Sequence, residues 1–331
     1  MENCQNLLIF NKINMRKTLT IIAFSITGLV TFAQQDAQFS MNMFNRLAVN
    51  PAYAGMNKAL CATLLYRQQW TNFPGAPKTV LLSVDYGQIL GGGLGITVDQ
   101  DALGFDKTLK AKLAYSFHRP VGPGTLGIGL DVGMIQKSLS GAFIAPDGTS
   151  TAGGGGTDQA IPWTGTSATT YDVGLGLYYQ TKQLYVGLSS LHLPEQQLTK
   201  KGGAASTTYD FNFKVARHYY VMAGYTFQLG STFDLRPSVL AKSDASSTQV
   251  DINLLAYWKK MVFIGASYRL SDALVGIVGL EWNGIRFGYS YDMTTSAIKN
   301  HSSGSHEIML GYCHRFTKPE HRQSHTNVRF L

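Results

Sequence analysis

The sequence predicts an all-β protein: a transmembrane antiparallel β-barrel of about 14 strands with a short N-terminal periplasmic segment. Three observations predict it. Apolar and small or polar residues alternate with period two through most of the chain from Ala59 on. The apolar face of the strands runs for about nine to eleven residues, the length a tilted strand needs to cross a bilayer. The composition is weakly charged and rich in glycine and aromatics, with 35 Gly, 17 Tyr, 17 Phe and only 15% charged residues among 331, against a usual charged fraction of about 25%.

An export signal comes first. Met15-Arg16-Lys17 is a short basic start, Leu19 to Val30 an apolar run, and Thr31-Phe32-Ala33 supplies small residues before Gln34. That is the layout of a secretory signal peptide over 1–33, with residues 1–14 as an upstream extension and cleavage after Ala33. The apolar run is too short to span about 30 Å of hydrocarbon as a helix, and nothing after Gln34 approaches the required length of about 20 residues. The net charge is +8, and losing Glu2, Lys12, Arg16 and Lys17 with the signal leaves +6. These charges are scattered and form no basic helix, so nucleic acid is not an expected partner; lipid of the outer membrane is.

Residues 34–57 form the expected periplasmic segment. Phe39, Met43 and Leu47 recur every four residues with Phe44 beside them. This fits either a short amphipathic helix ended at Asn50-Pro51 or an irregular lead-in.

The barrel is expected over 58–316. Strands are predicted to begin near Leu60, Thr79, Leu94, Leu109, Leu126, Tyr171, Leu184, Tyr219, Phe233, Val250, Val262, Ala273, Ile285 and Glu307, with Tyr209 to Val215 as a candidate extra. Each shows one apolar face, such as Leu109, Leu113, Tyr115 and Phe117. The opposing face holds small or charged residues, such as Gly127, Gly129, Asp131 and Gly133. A soluble sandwich also alternates, but its polar face is rarely so rich in small residues, which suit the crowded inside of a curved sheet. Ser138 to Thr170, with Gly153–Gly156, reads as a flexible extracellular loop: no Gly-Lys-Ser/Thr ending follows the glycines, so a phosphate cradle is not expected. Residues 317–331 form a polar, basic tail.

The charges expected to face the lumen are Arg67, Asp85, Lys110, Lys112, Asp131, Asp172, Asp251, Arg286, Asp292, Glu307 and Arg315. They could line a pore or form a salt-bridged, filled lumen. Their mixed signs favour the second. Cys61 and Cys313 both fall on the inward parity near the periplasmic ends of the first and last strands. If the barrel closes they can meet in a seam disulfide, although bridges between neighbouring strands are often strained; two free thiols are the other outcome.

No catalytic, cofactor or metal site is expected. The eight histidines lack a His-Glu-x-x-His pair, and no Gly-x-Ser-x-Gly elbow occurs. Ser189 and Ser190 near His192 are adjacent only in sequence. Asp99, Asp101 and Asp106 lack the Gly and Glu of a calcium loop and read as turn formers.

Gln35-Asp36-Ala37-Gln38-Phe39-Ser40, Met43-Phe44-Asn45 and Asn50-Pro51-Ala52-Tyr53-Ala54-Gly55 resemble the PorP/SprF family. So do Tyr66-Arg67-Gln68-Gln69-Trp70, Phe73-Pro74-Gly75-Ala76-Pro77, Gly288-Tyr289-Ser290-Tyr291-Asp292 and Gly304-Ser305-His306-Glu307-Ile308-Met309-Leu310. The resemblance implies an outer-membrane protein of Bacteroidetes associated with type IX secretion and gliding. Its partners would be a secreted surface adhesin or other cargo and periplasmic components of the secretion machine. It implies a non-enzymatic role in secretion or surface anchoring; the alternative is a channel for small solutes. The signature is densest before the barrel, so Asp36, Gln38, Phe39, Phe44, Asn50, Pro51, Tyr53 and Gly55 are the candidate partner contacts. The tail after Phe316 departs from barrels that end on a terminal aromatic.

Overall fold

The computed structural model describes residues 36–139, 166–200 and 211–316. The signal sequence, residues 140–165 of the Gly-rich loop and the tail 317–331 lie outside the described residues.

The strands run in chain order as β1 (Leu60–Gln68), β2 (Lys78–Ile89), β3 (Gly92–Leu103), β4 (Asp106–Val121), β5 (Gly124–Leu139), β6 (Thr166–Gln180) and β7 (Leu184–Leu191). They continue as β8 (Gln197–Lys200), β9 (Phe211–Lys214), β10 (His218–Tyr225), β11 (Phe227–Leu229), β12 (Phe233–Ser243) and β13 (Thr248–Trp258). The last are β14 (Val262–Arg269), β15 (Ala273–Trp282), β16 (Ile285–Thr294) and β17 (Ser305–His314).

Each barrel strand pairs antiparallel with its neighbour, and β1 pairs with β17, so the sheet closes. β10 and β11 are two halves of one barrel strand, both paired with β12. The ladder breaks opposite Pro237, which has no N–H to donate. Counting that strand once, fourteen described strands form the ring, as the periodicity predicts. β8 and β9 pair only with each other, so the candidate extra strand lies in a hairpin outside the ring.

Closure removes every edge, which a sheet in hydrocarbon requires. The outward residues of adjacent strands, such as Leu64, Leu82, Ile96, Leu113, Leu130 and Leu177, are exposed all round the barrel. Soluble proteins rarely leave a continuous apolar belt of this kind in water. Aromatics rim it: Tyr66, Tyr171, Tyr219, Tyr268 and Tyr291 near one end, and Phe117, Phe233, Trp258, Trp282 and Tyr312 near the other. Among the described residues no helix is long and apolar enough to cross a membrane.

The end holding Leu60 and His314 has tight turns, such as 122–123 and Asn283-Gly284, where both residues take positive φ (49° and 82°) as the hairpin requires. The opposite end carries 69–77, 295–304 and the connection from β7 to β10. In outer-membrane barrels short turns face the periplasm and long loops the exterior, which names the two ends here.

The core lies inside the barrel, between the wall and residues 36–59. Met41 and Met43 pack with Leu65, Leu81, Leu255 and Phe263 on one side. Leu47, Ala52, Tyr53 and Ala54 pack with Ala114, Tyr178 and Met222 on the other.

Candidate functional site: the occupied lumen

The N-terminal segment is placed differently from the sequence expectation. It fills the lumen and does not project into the periplasm: Ser40, Met41, Asn50, Ala52 and Ala54 are fully buried. It forms three 3-10 turns, Asn42–Phe44, Arg46–Ala48 and Pro51–Tyr53, in place of a continuous helix. The cause is local and steric. Asn45 takes an extended-like φ of −123° that interrupts the turns. Asn50 caps the third by accepting from Ala52 N at 2.9 Å, with Pro51 next to it. The segment is walled on all sides, so its backbone groups find partners on the strands: Ser116 Oγ donates to Ala52 O at 2.8 Å, and Ser189 Oγ to Val49 O.

The direction of threading follows from those partners. Asp36 lies at the exterior end, where its carboxylate meets Lys110 Nζ (2.8 Å), His192 Nε2 (3.0 Å) and the Tyr220 hydroxyl (2.8 Å). Gly55 lies at the periplasmic end, donating to Asp85 Oδ2 at 3.0 Å. The segment therefore descends through the barrel before β1 begins.

Glycines on the inward face give it room. A Cβ on Gly127 would stand 2.5 Å from Ala52 O, and one on Gly93 2.5 Å from Ala54 O. One on Gly129 would overlap the Ala52 backbone, and one on Gly176 the Asn50 side chain. These inward small residues therefore accommodate the segment as well as the curvature of the sheet.

Two ionic clusters hold the upper half. In the first, Arg67 Nη2 meets Asp292 Oδ2 at 2.7 Å and Arg67 Nη1 meets Glu307 Oε2 at 3.2 Å. Arg269 bridges Asp292 (3.0 Å) and Asp251 (3.3 Å). The segment docks directly on this cluster, with Ser40 N and Met41 N donating to the Glu307 carboxylate at 2.7 and 2.8 Å. Arg67, Asp292 and Glu307 are at most 1% exposed, and buried charges persist only when paired in this way. In the second cluster, Lys112 and His192 Nδ1 share Asp172 (2.8 and 2.9 Å), and His192 Nε2 carries the link to Asp36.

Among the described residues Asp36, His192 and His218 bring three potential metal-ligand atoms within 4.8 Å of one another. The Asp36 carboxylate is already shared by a lysine, a histidine and a tyrosine, so the group anchors the segment at Asp36. Ser189 bonds the Val49 carbonyl and His192 bonds aspartates; the Ser–His juxtaposition in sequence does not become a hydrogen-bonded pair.

The eight candidate contact residues are all brought together in the lumen. Phe39 and Phe44 pack on the first hydrophobic cluster, with Phe44 5.0 Å from the Phe263 ring. Gln38 lies beside Gln249 and Arg269. Asn50 Nδ2 donates to Leu177 O and Leu188 O (3.0 and 3.2 Å), and Tyr53 meets Tyr178 edge-on at 5.3 Å. Pro51 is buried.

The expected lumen charges face inward except Arg315, which lies beyond the end of β17 and is exposed. Asp99, Asp101 and Asp106 are strand residues and not turn formers: Asp99 pairs with Lys110, Asp106 with Lys137, and Asp101 accepts from Thr79 Oγ1 at 2.6 Å. Sequence reasoning missed Arg269, Lys137 and Lys242; Arg269 and Lys242 hold inward parity on strands it located. Cys61 and Cys313 stand opposite each other across β1 and β17 and form a disulfide, with Cα atoms 4.1 Å apart.

At the periplasmic end a cavity of about 230 Å³ remains between the segment and the wall. Arg46, Tyr53, Asp85, Tyr185, Arg236, Tyr257 and Arg286 line it, and it reaches the turn at 181–183.

Comparison with known proteins gives one family and a set of distant barrels. The family described as type IX secretion system membrane protein PorP/SprF matches residues 31–312. Similar solved structures include the toluene transporter TbuX of Ralstonia pickettii, with 13% identity, a TM-score of 0.49, and coverage of 83% of this protein and 93% of that one. The Pseudomonas putida toluene transporter TodX gives 10%, 0.43, 85% and 95%. The Acinetobacter baumannii outer membrane protein Omp33 gives 9%, 0.41, 78% and 97%. Likeness at this level says nothing about what binds here. No curated protein sequence matches significantly.

Proposed function

This chain belongs to the PorP/SprF family of type IX secretion system membrane proteins, and from that premise we propose that it acts as a plugged outer-membrane platform. It supports secretion or surface anchoring of a large adhesin or other cargo, in secretion and gliding, and it is neither an enzyme nor a solute channel. A signal peptide ending at Ala33 exports it, and periplasmic secretion components meet its short-turn face.

The observation that carries this reading is the segment through the lumen. An open channel needs water along its axis, and here the axis is occupied by residues 36–58, tied to the wall by buried ion pairs and by backbone hydrogen bonds. The small-solute channel is the weaker reading for that reason. The candidate contact residues are themselves packed against the barrel's own wall, so in this proposal they keep the platform closed. The cargo and the periplasmic machinery would then meet the loop and turn ends of the barrel.

The test has two arms. Purified mature protein in planar bilayers is expected to be silent, and cells lacking the protein are expected to lose surface display of its cargo, read by labelling of intact cells. Steady conductance in the wild type, or cargo displayed normally without the protein, would defeat the proposal.

A further inference from the structure

We propose that the cavity at the periplasmic end of the lumen binds a carboxylate presented by a peptide segment, from an acidic side group or from the peptide's own C-terminus. The inference goes beyond the closed-platform reading.

It starts from an unbalanced cation. Among the described residues the other guanidiniums of the lumen have a carboxylate: Arg67 and Arg269 in the upper cluster, Arg236 with Asp234 at 2.9 Å, Arg286 with Glu281 at 2.9 Å. Arg46, on the plug, has none. Its guanidinium sits 3.7 Å over the Tyr185 ring and donates to the Tyr178 hydroxyl at 2.9 Å, and its Nε is buried without a hydrogen-bond partner. The Nε of Arg236 is likewise buried and unmatched, while its guanidinium stacks 3.8 Å over Tyr257. A desolvated guanidinium edge without an acceptor is costly, and a ligand oxygen removes that cost.

The lining has an excess of positive charge. Asp234 and Glu281, just outside it, neutralise Arg236 and Arg286, which leaves Arg46 and the rim residue Lys182 against the one lining carboxylate, Asp85, which already accepts from Gly55. Arginine edges held flat by aromatic stacking are preset for the two-point geometry of a carboxylate. At about 230 Å³ the space admits a side group or a peptide terminus and excludes a folded domain. Its rim at 181–183 lies on the periplasmic turn end, so the ligand enters from there. Tyrosine and arginine are also the residues that dominate the energetics of protein–protein recognition.

The test uses the purified mature barrel in detergent at low salt, with calorimetric titration of three acetylated tetrapeptides. One has a free C-terminus and no acidic residue, one has a single glutamate and an amidated C-terminus, and one is neutral and amidated. Saturable binding of at least one charged peptide and none of the neutral one is expected, and the better charged peptide identifies the source of the carboxylate. Arg46→Gln and Arg236→Gln are each expected to weaken binding by about tenfold or more, with partial recovery in Arg46→Lys. Heat-dependent gel migration reports that each variant still folds. Equal binding of the neutral peptide, binding unaffected by both substitutions, or inorganic phosphate binding as tightly as either peptide would overturn the inference. Normal cargo display in cells lacking the protein would defeat the platform reading without touching this one.

Discussion

Glu307→Ala should release the plug while leaving the barrel standing. Glu307 is fully buried on β17 and accepts from Ser40 N, Met41 N and Arg67. Hydrogen bonds to a charged group contribute about 1.5–3 kcal/mol each, so losing the two backbone donors' partner costs the docked segment about 3–6 kcal/mol. Removing one member of a buried ion pair costs about 3–5 kcal/mol on its own. The two figures overlap because they describe the same carboxylate. The loss sits toward the lower part of the range, since Arg67 keeps Asp292 at 2.7 Å and the Ser40 hydroxyl at 2.9 Å. An effect of about 3–4 kcal/mol raises the population of released segment by about 10²–10³-fold, at about 1.4 kcal/mol per factor of ten. The assay is limited proteolysis of the folded barrel, following cleavage between residues 36 and 58, alongside single-channel recording. Glu307→Gln, which keeps one carbonyl acceptor, should show a smaller fraction of the effect. If Glu307→Ala still migrates as a folded barrel and its segment is as protected as in the wild type, the anchoring argument is wrong.

Three further outcomes follow from the same geometry. Gly129→Val, whose side chain would occupy the Ala52 backbone position, should expose the segment to protease, whereas Gly276→Ala, with nothing within 4 Å, should not; equal protection of both would remove the steric case. Cys61→Ser should lower the temperature at which the barrel unfolds on gels: the bridge spans 252 residues of sequence, worth about 5 kcal/mol in the loop-entropy account, and thiol labelling of the wild type without reductant should find neither cysteine free. Leu130→Arg puts a charge on the lipid face of β5, at a cost of about 2–4 kcal/mol near the bilayer centre, and should reduce folded yield in lipid vesicles; an unchanged yield would argue that this face is not wetted by lipid.

The ring was legible in the sequence because strand faces alternate with a period of two, and lipid outside against a packed lumen inside makes that alternation strict. All fourteen predicted starts fall within a few residues of an observed strand. The inward parity of Arg67, Asp85, Lys112, Asp172, Asp292 and Glu307 was legible for the same reason. Their partners were not, because pairing depends on registers between strands up to 240 residues apart, as for Arg67 and Glu307. The lumen segment was hidden for a different cause. Its hydrogen bonds go to partners scattered over the wall, so it has no period of its own, and four-residue spacing in Phe39, Met43 and Leu47 imitated a helix. The signal that could have revealed it was the run of inward glycines on β3, β5 and β6. Curvature alone does not require positions such as Gly93, Gly95, Gly127, Gly129 and Gly176, where a Cβ would strike the lumen segment.

The seam where the barrel closes and the docking of the plug are one structural problem. Across β1 and β17, Cys61 faces Cys313 near the periplasmic end and Arg67 faces Glu307 near the exterior end. The first pair is covalent and independent of the plug. The second is not: Glu307 divides its oxygens between Arg67 on the opposite side of the seam and the backbone of Ser40 and Met41, while Asp292 on β16 takes Arg67, Arg269 and the Ser40 hydroxyl. The upper docking site for the plug therefore exists only once β17 has come alongside β1, and the plug in turn shields that ion pair from water. Because the plug leaves the lumen at Gly55 and becomes β1 within five residues, the Cys61–Cys313 bridge sits where the plug joins the seam, and the Arg67–Glu307 pair sits where the plug docks on it.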